Sequence, residues 1–248
     1  MANWNDTDRP NQNFGSVPRA GGDVAGVTFD EGLRKHMLAI YNYMASGVLW
    51  TGIVALLFAE SGMAAQVFLS GGILPWVIKL SPLAFLLVMS FGINKLSETA
   101  LKALFFAYAT VMGFSMSLIF LVYTGESIAV TFFATAAAFA GLSLWAYTTK
   151  KDISGWGSFL FMGLIGLIVA SLINIFVGSE TMAFVISSIG VLIFAGFTAY
   201  DTQTLKNEYA YVRGTAFAEK ARIMGALNLY LDFVIMFQYL LSFLGSEE

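Results

Sequence analysis

Two aspartates interrupt what otherwise reads as lipid-spanning helix, and their carboxylates are the groups here best placed to do chemistry. Asp201 closes the apolar run from Val191 to Tyr200, and Asp232 lies inside the run from Leu227 to Phe237. A charged side chain at membrane depth costs about 2.5–3.5 kcal/mol on insertion scales. Chains that keep one use it for ions, protons or a buried partner. Counted from Arg222 at the entry of its apolar segment, Asp232 is ten residues in, about 15 Å at the helical rise. A side chain as short as Asp cannot snorkel to water from there. Asn228 stands four residues earlier on the same helical face, so this polar stripe must meet protein or water rather than lipid. Asp201 belongs to Tyr200-Asp201-Thr202-Gln203 at the end of its segment. There a site role and an interfacial bond to helix ends or to Lys206 fit the residues equally well.

Both acids enter from one side, on segments joined by a single connector, so they can meet in one half of a bundle. Two neighbouring carboxylates cannot both ionise cheaply, and the pair can hold a shared proton. That arrangement makes a proton-sensitive latch. It also offers oxygen ligands of the kind Ca²⁺ prefers. Two carboxylates fall short of a full calcium cage, so Asp201 and Asp232 suit a transient or permeation site for the ion.

The rest of the composition closes off other chemistries. Hydrophobic residues make up 58% of the 248, and charged residues 12%, against about 25% in soluble domains. The chain is an integral membrane protein whose partner is the lipid bilayer. With a net charge of −3 and no basic tail, nothing marks a nucleic-acid surface. There is no cysteine, which removes disulfides and thiolate chemistry. The single histidine, His36, cannot build a histidine metal site and is expected to be solvated beside Arg34 and Lys35. No nucleotide loop or nucleophile with its base is present, and the flanking glycine pattern of an intramembrane aspartyl protease is missing. The chain is expected to be no enzyme and to hold no resident cofactor.

A helical span needs about 20 apolar residues, and seven segments qualify: roughly 37–59, 74–95, 101–123, 127–148, 156–177, 182–202 and 222–244. Residues 1–30 read as a disordered leader and 31–248 as one seven-helix domain. Ser81-Pro82 predicts a kink in the second span, and Lys79 is expected to snorkel. In this arrangement twelve of the thirteen Lys and Arg residues fall on one side, with only Lys79 toward the other. The positive-inside rule then places the N-terminus in the cytoplasm and the C-terminus outside. Glu98 and Lys102 read as an i,i+4 surface pair. Ser115, Ser117, Ser171 and Asn174 read as interhelical hydrogen bonds or cavity lining. Gly163, Gly166, Gly190 and Gly196 read as close helix contacts.

Ala199-Tyr200-Asp201-Thr202-Gln203 followed by Leu229-Tyr230-Leu231-Asp232-Phe233 resembles the closing signature of the Bax inhibitor family. Ser117 to Thr124 and Tyr147 to Gly155 match in the family's order, and the resemblance runs over about residues 30–246. It is strongest to bacterial inner-membrane members; eukaryotic relatives act in cell-death control at the endoplasmic reticulum. The resemblance implies an all-α fold of seven transmembrane helices, the last central and surrounded by six. It implies a pH-dependent calcium leak with Asp201 and Asp232 as sensor and latch and calcium and protons as its ions; beside that pair, Asn228 and Tyr200 are expected as supporting polar groups. It also associates the latch with a basic residue of the second span, where this chain has no Arg, only Lys79 and Lys95 near the two ends. The rival reading is a non-transporting regulator that binds a membrane-protein partner, such as a membrane protease or quality-control complex.

Overall fold

A computed structural model describes residues 20–246, with side chains from residue 30. Among the described residues the regular structure is helical: α1 (Ala20–Glu60), α2 (Met63–Leu69), α3 (Leu74–Gly92), α4 (Glu98–Met116), α5 (Ile119–Val122), α6 (Gly125–Thr148), α7 (Trp156–Val177), α8 (Glu180–Val212) and α9 (Ala218–Leu244). Seven helices are long and apolar enough to cross a membrane, α4 and α5 forming one of them. The spans therefore fall where the apolar segments predict them.

Local chemistry sets the helix starts. Ser97, Thr124 and Ser179 each cap a helix by accepting a backbone N–H three residues on, from Ala100, Ser127 and Met182. A glutamate follows each cap, Glu98, Glu126 and Glu180, where the helix dipole favours negative charge. α3 runs through Pro82 without a break in its helix. Lys79 lies over the rings of Phe68 and Trp76, which covers its charge at the end away from the other basic residues.

Two boundaries differ from expectation. α1 begins at Ala20, so the last third of the expected leader is helical; residues 1–19 lie outside the described residues. No proline follows Pro18 until Pro75, so nothing stops the first span's helix from reaching back. α8 runs ten residues past the predicted end at 202, to Val212. Hydropathy fades there, but Thr202, Leu205 and Val212 keep a buried stripe at helical spacing.

The last helix is the most buried span, half of its apolar window being covered. Its main packing partners are α8, α1, α6 and α4. α3 packs chiefly on α4, and α7 on α8. Of the six other spans, four thus pack most closely on the last helix, and α3 and α7 pack chiefly on their neighbours. Small residues permit the close approaches. A Cβ on Gly190 would meet the Tyr239 ring at 2.7 Å, and one on Gly196 would meet Leu160 at 2.6 Å. Gly163 lies against Ile193, whereas Gly166 has open space.

Candidate functional site

The connectors at 93–97, 149–155 and 213–217 meet at one end of the bundle, where Lys220 Nζ donates to the Ile93 carbonyl at 3.1 Å. From this basic end, α8 and α9 run inward side by side. Asp201 is eleven residues back from Val212, and Asp232 fourteen residues on from Ala218. At the helical rise both lie about 17–21 Å from the joining connector. The long α8 thus puts Asp201 deeper than the predicted boundary at 202 does, and level with Asp232.

Asp232 is 5% exposed, and its Oδ2 is buried without a hydrogen-bond partner. The charged group that acts on it is Asp201, across the α8–α9 packing. No hydrogen bond joins the two carboxyls, and no salt bridge reaches either one among the described residues. The basic partner from the second span is therefore not at the pair: Lys79 is held by rings at the far end. A buried polar atom without a partner is uncommon, and here it sits beside a second carboxyl. Packing alone offers no reason for both features.

The neighbours of Asp201 have structural roles. Thr202 bonds Ser143 of α6 at 2.8 Å, and Ser143 bonds Tyr41 of α1 at 2.6 Å. Gln203 grips the connector before α7: its Oε1 accepts the Ile153 N–H at 2.8 Å, and its Nε2 donates to the Lys151 carbonyl at 2.7 Å. Tyr200 turns to α7, its hydroxyl lying 2.7 Å from where a Cβ on Gly157 would stand. It does not join the carboxyls. Asn228 is exposed where Asp232 is buried, so the predicted stripe divides at one helical turn.

A second charged cluster lies nearer the basic end. Glu219 of α9 pairs with Lys102 at 2.8 Å and Arg222 at 2.9 Å, and accepts the Tyr43 hydroxyl at 2.9 Å. Lys102 thus takes an acid from another helix in place of the predicted Glu98, because α4 and α9 meet there. His36 is not solvated: it is 1% exposed, its Nδ1 accepts from Arg222 Nε at 3.3 Å, and its ring packs on Tyr209 at 5.2 Å. With Nδ1 accepting, the neutral ring carries its proton on Nε2, which is buried without a partner. The signal lay in the sequence, since Leu33, His36, Met37, Ile40 and Met44 share one helical face. Of the other polar candidates, Ser117 donates to the Phe114 carbonyl of its own helix, Ser171 donates to the Leu167 carbonyl and also bonds the Tyr239 hydroxyl of α9 as an interhelical contact, and Asn174 accepts the N–H of Ser179 at the start of α8.

A seven-span helical membrane protein with an orphaned carboxyl beside a second one, on its last two helices, is the class that fold and site define. Residues 33–248 match the family described as inhibitor of apoptosis-promoting Bax1, and the chain belongs to that family. A protein of Caulobacter vibrioides is 44% identical over 237 residues, covering 91% of this chain and 94% of that one. The inner membrane protein YbhL of Escherichia coli K12 is 42% identical over 219 residues, 88% of this chain and 94% of its own. A Rickettsia prowazekii protein is 41% identical over 221 residues, 89% and 93% of the two chains.

Proposed function

We propose that the protein is a pH-sensitive calcium leak pathway of a bacterial inner membrane, with Asp201 and Asp232 as its proton-sensitive latch. The observation that carries this reading is the orphaned Asp232 Oδ2 beside Asp201, deep in the bundle and with no basic side chain paired to either carboxyl among the described residues. At low pH a shared proton lets the carboxyls stay together. As pH rises that proton leaves, and repulsion drives them apart unless a cation intervenes. Calcium is such a cation, and carboxylate oxygens are its ligands. Two carboxylates provide fewer oxygens than the roughly six to eight of a tight calcium site, so the ion is bound in passing. The work is ion passage, not enzyme chemistry, and it needs no resident cofactor.

The basic end is the cytoplasmic one by the positive-inside rule, and an odd number of spans then carries the C-terminus outside. The inner-membrane name of the Escherichia coli relative supports the location. Calcium entry into proteoliposomes of purified protein, followed across neutral pH, tests the function. A pH-dependent flux is expected. Its absence, with the protein folded, would favour the regulator that acts through a membrane-protein partner. A C-terminal reporter active only in the cytoplasm would overturn the orientation.

A further inference from the structure

α1 and α6 flank a groove in the basic half of the bundle, about 420 Å³ in volume. Apolar side chains form most of its walls, among them Leu38 and Phe139, and Ala140 lines it as an exposed small residue. Toward the basic end it reaches Arg34 and Tyr147. Arg34 is exposed and makes no salt bridge among the described residues. Beside Tyr147 the surface changes character. A polar recess of about 400 Å³ is lined by Lys150, Lys151 and Lys206, with Asp152 as its acid. Lys206 joins the two spaces: its Nζ donates to the Tyr147 carbonyl at 2.6 Å and stands 5.5 Å from the Tyr147 ring centroid. An ammonium has three donors, so Lys206 keeps hydrogen-bonding capacity for a ligand.

Two further observations fix the level and the polarity. Trp145 and Trp156 stack at the same end of α6, both partly exposed, as in the aromatic belt that marks the headgroup boundary. The apolar groove is then at acyl-chain depth and the lysine recess at headgroup depth. The hydroxyls of Tyr41, Ser143 and Thr202 form a chain of two hydrogen bonds. Tyr41, at one end of this chain, lines the groove, and Thr202, at the other, is fully buried on α8.

We infer that this amphiphile-shaped cleft binds one anionic phospholipid from the basic-side leaflet. An acyl chain lies between α1 and α6, and the phosphate sits among Arg34, Lys150, Lys151 and Lys206. Charge complementarity selects the occupant: four cations against Asp152 surround the mouth of an otherwise apolar groove. Ser143 and Thr202 connect that groove to the turn of α8 that carries Asp201, and the inference stands apart from the calcium reading.

Native mass spectrometry of the detergent-solubilised full chain tests it, with phosphatidylglycerol and phosphatidylcholine of identical acyl chains as probes. The wild type should retain one phosphatidylglycerol in preference to phosphatidylcholine. Arg34→Gln and Lys150→Gln should each weaken that preference about five-fold, the scale of one basic residue near a membrane surface. Lys79→Gln, at the opposite end, should leave it unchanged. Ala140→Trp should reduce retention of both lipids by filling the groove. Inorganic phosphate in excess should not displace the lipid; displacement would make the recess a site for free phosphate and overturn the lipid assignment. Equal retention of the two lipids by the wild type, or a preference that Arg34→Gln and Lys150→Gln leave intact, would also overturn it.

Discussion

Two acids on the last helix, thirteen residues apart, have opposite surroundings. Glu219 is held by Lys102, Arg222 and the Tyr43 hydroxyl, near water at the basic end. Asp232 is buried at mid-helix with an orphaned oxygen and a second carboxyl as its charged neighbour. The first arrangement is what folding selects for: each charge is met, and the contacts tie α1, α4 and α9 together. The second costs stability, and a chain keeps such a group for what it does. The same division runs through Tyr200-Asp201-Thr202-Gln203, where Gln203 and Thr202 are satisfied by other helices and connectors and Asp201 neighbours Asp232.

Removing satisfied groups should therefore harm stability, whereas removing the orphaned one should harm only function. The largest loss is expected for Gln203→Ala, which strands the buried Ile153 N–H and frees the Lys151 carbonyl. An unmet buried donor costs about 1–3 kcal/mol, and thermal unfolding in detergent should register it. Glu219→Ala should cost about 1–2 kcal/mol, since partly exposed ion pairs contribute about 0.2–1 kcal/mol each and a hydroxyl bond is lost as well. That deficit should shrink in high salt. Asp232→Leu, which replaces an unpaired buried carboxyl by an apolar group of similar size, should be neutral or raise the melting temperature. A large drop in stability for Asp232→Leu, with none for Glu219→Ala, would reverse the comparison.

Much of this was legible in the residues. Apolar runs and cap chemistry delimit the spans, and the depth of Asp232 follows from counting along its run. What escaped was decided by tertiary packing. His36 read as solvated because its neighbours Arg34 and Lys35 are charged, yet it lies on the Leu33–Met37–Ile40 face that packs inward. Lys102 read as a partner of Glu98, its local neighbour, but α9 brings Glu219 closer. Asn228 shares a face with Asp232 by helical spacing and still differs in burial, a difference of one helical turn that spacing alone does not carry. The end of α8 escaped hydropathy since Lys206, Asn207 and Glu208 are polar, whereas its periodic stripe persists.

The central claim is that Asp201 and Asp232 act as one titrating unit. It is tested most directly by calcium flux against pH in proteoliposomes carrying wild type, Asp201→Asn, Asp232→Asn and the double variant. Asn keeps size and polarity and removes the proton. The account predicts that each single variant loses most of the pH dependence and that the double variant loses little more, as expected for coupled sites. Wild-type pH profiles in both single variants would contradict it and return both acids to a structural role.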